Sequence, residues 1–406
     1  MKKILTVLFS FLLILTSISA VVADTESITL SEVSGSESVV NVKGETDGVD
    51  IIAIQIVDKE DHNTIYAMET TDVVDGKFDV DIEVNLKANT EYTVLIANFN
   101  SGKYTAKNFV TTKDLFKFDT ISATLDSEIG LNFYTIIDDS IKQESYMEFK
   151  VNGNNNPITT RIDTSDGIKE DDGRYKFTCD VNTLRVAEEI EATFHFGDDK
   201  TATKKISVMD YLNRLLDIYK DNVDGKEYRL VNSVIEYTHY AQLLLADTNG
   251  YTIGDNGFAP IEYYGEEPNK DVNLDEFKYI KEGSVDGVSL SSLSLNLESK
   301  INLNVYVNSN EEPVVNVKDF NRKDVNCTVE KANASQYKIT ISGITPKQLG
   351  NYYTFNITKT GAESSITLSV SVLSYARMAL SSSKNTDVQK NLAAALYDYY
   401  VCTMNY

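Results

Sequence analysis

The chain carries one module twice, and this constrains its fold more than any other feature. Ser122-Ala123-Thr124-Leu125-Asp126-Ser127-Glu128-Ile129-Gly130-Leu131-Asn132-Phe133-Tyr134 returns as Ser294-Leu295-Asn296-Leu297-Glu298-Ser299-Lys300-Ile301-Asn302-Leu303-Asn304-Val305-Tyr306, seven of thirteen positions identical at an offset of 172. Tyr175-Lys176-Phe177-Thr178 returns as Tyr337-Lys338-Ile339-Thr340 at 162, and Ser207-Val208-Met209-Asp210-Tyr211 as Ser371-Val372-Leu373-Ser374-Tyr375 at 164. Leu230 and Tyr237 match Leu392 and Tyr399 at 162. So small a drift means one duplicated domain with loop changes, and the period is far too long for a solenoid. Duplicated, loop-tolerant domains point to display or binding rather than to one shared catalytic centre.

Periodicity gives the organisation. Residues 24–114 read as a small immunoglobulin-like sandwich. Ile52/Ile54/Ile56 alternate, Asp75-Gly76 marks a turn before Phe78/Val80/Ile82, and Tyr92 stands where a tyrosine pins a corner in such folds. Residues 115–248 are the first module. Ile129/Leu131/Phe133 alternate as a half-buried strand, and after Lys205 the period becomes helical through Val208, Leu212 and Leu215, then Leu230, Val234, Tyr237 and Ala241. The apolar stripe of this helical pair must be covered by its own sandwich or by the other copy's pair. Residues 249–284 form a connector, Gly- and Pro-punctuated but with Phe258, Ile261 and Tyr263 as poor choices for a free linker. Residues 285–406 are the second module. The predicted class is mostly β with α: an immunoglobulin-like β-sandwich followed by two repeated modules, each a β-sandwich with a C-terminal helical pair.

Residues 1–23 read as a cleaved secretory signal: Lys2 and Lys3, an apolar run from Ile4 to Ile18, then Val21-Val22-Ala23. The expected mature chain is secreted, with cell-surface association through its folded domains, and has no membrane span. It retains 36 basic residues against 61 acidic ones, a formal charge of −25. That balance disfavours nucleic acid and anionic membranes as partners. Cys179, Cys327 and Cys402 each fall on an apolar phase and are expected to be free and buried.

The strand Leu131–Tyr134, the strand Tyr175–Cys179, Ser207–Tyr211 and Leu230–Ala241 together resemble the tandem repeats of exported and surface proteins of gut and rumen Firmicutes. The second copy keeps Tyr337–Ile341, Ser371–Tyr375 and Leu392–Tyr399, and departs at Thr403 where the first has Ala241. The resemblance implies an exported, bacterial-surface setting and implies no particular chemistry.

Little else in the sequence points to catalysis. His62, His195 and His239 lie near no Ser motif of nucleophilic type and show no metal spacing. A glycosidase or lyase needs only two carboxylates, yet the copies do not share them: Glu128 corresponds to Lys300 and Glu191 to Tyr353. Asp163–Asp172 gathers oxygen ligands and raises calcium, as does Asp247-Thr248-Asn249-Gly250. Neither fits the helix–loop–helix pattern, and solvated turns explain both better. No cofactor or metal is expected. Tyr134, Tyr306, Tyr263 and Tyr264 are candidate stacking surfaces, with Tyr263 and Tyr264 the first choices for ligand contact. The expectation is a non-catalytic modular protein for adhesion, scaffolding or capture of a protein or glycan at the cell surface. The alternative is a carbohydrate-binding protein using Tyr platforms, with a glycoside hydrolase or lyase behind it.

Overall fold

The computed structural model describes residues 27–98, 103–125, 129–152, 157–197, 200–249, 253, 258–297 and 301–406. The signal reading of residues 1–23, the Glu128/Lys300 comparison and Gly250, Gly254 and Gly257 of the connector lie outside the described residues. The chain divides into two compact units, 1–115 and 116–406.

In the first unit, β1 (Ile28–Ser36), β2 (Val39–Thr46) and β5 (Lys77–Glu83) form one sheet. Strands β4 (Ile65–Asp72), β3 (Ile51–Asp58), β6 (Glu91–Asn98) and β7 (Tyr104–Thr112) form the other, in that order. The sheets join where Gly35–Ser36 runs parallel to Thr111–Thr112. The alternation read from the sequence puts Ile52, Ile54 and Ile56 against Tyr92, Val94 and Ile96 in the core. Asp75 and Gly76 both have positive φ (51° and 73°), as a tight two-residue turn between Val74 and Lys77 demands. Tyr92 is buried, and its hydroxyl accepts the Lys87 N–H at 3.0 Å, which pins the corner.

The second unit holds both copies. The first runs β8 (Phe116–Thr124), β9 (Ile129–Ile137), β10 (Tyr146–Val151), β11 (Ile158–Asp163), β12 (Ile168–Lys169), β13 (Tyr175–Val181), β14 (Glu189–Phe196) and β15 (Lys200–Ser207), then α1 (Val208–Tyr219) and α2 (Lys226–Asn249). The second runs β16 (Ile280–Gly283), β17 (Val288–Asn296), β18 (Ile301–Ser309), β19 (Val314–Lys318), β20 (Thr328–Asn333), β21 (Gln336–Ile344), β22 (Tyr353–Thr358) and β23 (Ile366–Val370), then α3 (Val372–Ser381) and α4 (Asp387–Asn405). One sheet is β12-β13-β9-β8 in the first copy and β20-β21-β18-β17 in the second. The other is β11-β10-β14-β15 against β19-β22-β23-β16. Seven strands therefore correspond in order, and the eighth sits on opposite edges.

The correspondence reaches details that the sequence left implicit. A register shift falls between Phe118 and Thr120 in β8 and between Leu290 and Ser292 in β17, the same place at an offset of 172. The first unit has the same kind of shift in its own first strand, between Leu30 and Glu32. Such an extra residue bends the strand and is a built feature rather than a defect. Asn132 donates to Ser122 Oγ (3.2 Å) and accepts from Thr178 Oγ1 (2.8 Å), while Asn304 does the same with Ser294 and Thr340 at the same distances. The cores differ by exchange of bulk. Phe133, Phe177 and Ala192 of the first stand where the second has Val305, Ile339 and Phe355, all fully buried. Total volume is kept while the large side chains change strands. Register also corrects one alignment. Ile190 faces Ile206 as Tyr353 faces Val370, so Glu191 corresponds to Thr354 and not to Tyr353.

Each helical pair starts directly off its last strand. Ser207 caps α1 in a reciprocal box with Asp210, and Ser371 caps α3 with Ser374. The longer helices cover each other across the copies: α2 packs on α4, and the repeat-equivalent Tyr237 and Tyr399 stack with ring centroids 5.5 Å apart. Ala393, Ala394 and Ala395 of α4 are buried, and their small size lets the helices approach closely. The stripe is thus covered in part by its own sandwich, on which α1 packs, and in part by the other copy's pair, and one continuous core runs through both modules.

Candidate functional site

The helical junction gathers several buried, perturbed polar groups, and the connector completes it. Gln242 of α2 is buried and clamps two segments. Its Nε2 donates to Leu184 O (3.2 Å) and Ala259 O (2.9 Å), and its Oε1 accepts from Ile261 N (2.9 Å). His239 Nδ1 lies 2.7 Å from Ile261 O; a carbonyl only accepts, so this nitrogen carries the proton. Ile261 is buried, so the connector is an ordered strap over α2 at this point.

Tyr263 follows on the strap. Its ring lies near His239 and Tyr240, and its hydroxyl donates to Glu236 Oε1 and accepts from Asn232 Nδ2, both at 3.3 Å. Glu236 is 4 % exposed. Burial, and secondarily the charge of Asp398, push its carboxyl up to about 7 against the Tyr263 hydrogen bond, which acts the other way. Asp398 of α4 is half-buried; burial raises its carboxyl and Arg229 opposes this. Burial raises the Cys402 thiol and the Tyr263 phenol as well. Glu236 and Asp398 differ by 162, the offset of their neighbours Tyr237 and Tyr399. They are the shared carboxylates that the sequence comparison missed, because it examined strand positions only. Beside the matched tyrosines an acid repeats, and that signal was present in the sequence. The pair suits proton holding at a packed interface. The Glu236 carboxyl is buried beneath the Tyr263 hydroxyl, which Asn232 holds in turn.

The structure separates the two tyrosines singled out from the sequence. Tyr263 packs on α2, whereas Tyr264 is 88 % exposed and its hydroxyl donates to Glu262. They do not make one platform. Tyr134 is capped by the Arg174 guanidinium 4.8 Å from its ring centre, itself held by Asp119 and Asp172 at 2.8 Å. Its counterpart Tyr306 lines a cleft of about 370 Å³ between α2 and β17–β18, with Leu184, Leu244, Leu245, Leu295 and Leu297.

Three carboxylates of the acidic loop are paired with nearby side chains. Asp163 pairs with Arg161 (2.7 Å), Asp172 with Arg174 (2.8 Å) and Glu170 with Lys176 (3.1 Å). Among the described residues no cluster of three or more His, Cys, Asp or Glu side chains is placed to hold a metal ion. His195 stacks on Tyr146 at 4.5 Å, and Arg161 also lies over that ring. The cysteines are free; Cys179 and Cys402 are buried, but Cys327 is half-buried because it precedes the edge strand β20. Among the described residues no helix is long and apolar enough to cross a membrane.

No protein-family profile and no curated protein matches the chain. Among solved structures it is similar to a two-domain fibronectin type III segment of chicken tenascin, at 11 % identity over 45 % of this chain and 99 % of that one, with a TM-score of 0.17. It is also similar to the FN1–FN3 domains of chicken CNTN1, at 12 % identity over 82 % of this chain and 90 % of that one (TM-score 0.15). An I-band fragment of titin shows 9 % identity over 85 % of this chain and 98 % of that one (TM-score 0.16). Scores this low carry no functional inference. The assignment of immunoglobulin-like sandwiches rests on the strand orders themselves.

Proposed function

We propose that the chain is an exported, non-catalytic modular protein that works by adhesion, scaffolding or ligand capture at a bacterial cell surface. The observation that carries this reading is the junction. Two sandwiches are locked by α2 and α4 into one body, and Gln242, His239 and Glu236 there are engaged with the protein's own connector. The histidines likewise serve contacts within the fold: His239 holds the strap and His195 stacks on Tyr146. A rigid body with duplicated outer faces suits binding, where energy is spread over a surface with a few aromatic anchors. The signal-like start, the acidic charge and the resemblance to bacterial surface repeats support export.

The test is a paired screen of residues 24–406 for turnover on polysaccharides, peptides and esters, with and without calcium, and for binding on glycan and surface-protein arrays. Binding without turnover is expected, weakened by Tyr264→Ala. Robust turnover abolished by one Asp or Glu substitution overturns the reading in favour of a hydrolase.

A further inference from the structure

The two copies differ at both edges of one sheet, and at the β15/β23 edge the reason is arithmetic. In the second copy the outer side of β23 is taken by the connector's strand β16, antiparallel, with Ile280 opposite Ser369 and Gly283 opposite Ile366. Subtracting the offset of 172 from residues 280–283 gives 108–111 in the first copy. Those residues already belong to β7 of the first unit, and only residues 113–115 separate β7 from β8. The strand that fills this edge in one copy is committed elsewhere in the other. Among the described residues nothing pairs with the outer side of β15.

That edge has a definite character. Lys200, Thr201, Thr203, Lys204 and Lys205 are exposed. Lys205 is held by Glu191 (2.6 Å) and Glu189 (3.5 Å), whereas Lys200 and Lys204 have no carboxylate partner among the described residues. The corresponding β23 is far more covered, with Ile366, Leu368 and Val370 buried. An unpaired edge is a template for another strand, and lysines on it repel strands that do not answer their charge.

We infer that the β15 edge, at Ala202–Lys205, captures an extended acidic segment of another polypeptide as an added antiparallel strand. The register is the one β16 makes at β23. A residue at the place of Lys281 then faces Lys204, since Lys281 faces Leu368 and Leu368 is the counterpart of Lys204. A carboxylate there makes a cross-strand pair and a lysine there is repelled. The natural connector sequence is thereby kept off this edge, and an acidic variant of it fits. The inference rests on the binding reading for its setting alone. Turnover would remove that reading and leave the edge, whereas silence at the edge would leave that reading standing.

The experiment uses the mature chain and two synthetic peptides spanning residues 277–284, one natural and one carrying Lys281→Glu. Peptide binding is followed by fluorescence anisotropy and by amide exchange over residues 200–206. Protection confined to that strand is expected, with the acidic peptide favoured about fivefold, in line with paired versus like charges across a ladder. Lys204→Glu, an exposed change that leaves the core intact, should invert the preference. N-methylation of alternate peptide amides should abolish binding. No protection of residues 200–206 at millimolar peptide, or a preference unmoved by Lys204→Glu, overturns the inference and leaves the lysines as guards of the edge.

Discussion

Replacing Glu236 by Gln should stabilise the junction at alkaline pH and do little in acid. The carboxyl sits at about 7 when folded, against an ordinary value of 4.5. Below about 4.5 it is protonated in both folded and unfolded chains, and the folded state keeps the full benefit. Between about 4.5 and 7 the unfolded chain releases the proton while the folded one retains it. Fewer protons are then bound when unfolded, so stability falls as pH rises through this window and levels off above it. The difference between about 7 and 4.5, at about 1.4 kcal/mol for each pH unit, sets an upper bound of roughly 3.5 kcal/mol. Gln keeps an oxygen for the Tyr263 hydroxyl and cannot ionise. The groups facing it are Tyr263 of the connector, Tyr240 of α2 and Asp398 of α4, with Arg229 beyond Asp398. Urea unfolding of wild type and Glu236→Gln should differ by little at pH 4.5, and by about 2–3 kcal/mol in favour of the variant at pH 8. Because other titrating groups cancel in the difference, a gap that stays flat across pH would refute the reasoning. A variant less stable at pH 8 would do so more directly.

Three further outcomes follow from the asymmetries between the copies. The Tyr399 hydroxyl donates to Leu125 O at 2.9 Å, whereas the buried Tyr237 hydroxyl has Thr183 beside it but makes no well-formed hydrogen bond among the described residues. Tyr399→Phe should cost about 1–2 kcal/mol in urea unfolding and Tyr237→Phe less, and equal losses would contradict the pairing. Ser371→Ala removes a buried helix cap and should lower stability by about 1 kcal/mol in urea unfolding; an unchanged midpoint would show that the cap contributes nothing. In native protein a thiol reagent should label Cys327 first. Cys179, pushed up to about 12 by burial, should wait for denaturant; prompt labelling of Cys179 would show that its strand opens readily.

Much of the fold was legible because its signals are local. Alternation at Ile52/Ile54/Ile56 and Leu131/Phe133 placed strands, and the period change at Ser207 placed a helix start that the capping box confirms. The same repeat showed that Tyr237 and Tyr399 are equivalent. It could not show that they stack on each other, since equivalence in sequence gives no relative placement. The Tyr264 side chain is exposed and the Tyr263 side chain is packed, though both lie in one aromatic run. That difference depends on α2 passing beneath Tyr263 alone, which is a tertiary fact. Glu236 was missed for the opposite reason. Its repeat partner Asp398 was visible, but an acid beside a helical stripe reads as solvated until the second helix is seen to cover it.

The crossing of helices between the copies also has a consequence for the order of folding. Tyr399 OH and Leu125 O meet across 274 residues, and α2 takes much of its cover from α4. Contacts so distant in sequence are slow to form, because loop closure precedes their benefit. A chain emerging N-terminus first presents the first sandwich and α2 early, with Val234, Tyr237 and Ala241 still in water. The packing of α2 is therefore completed only once α4 has been made. Any truncation short of α4, or a stall in synthesis before it, leaves a sticky half-built module rather than a smaller working one.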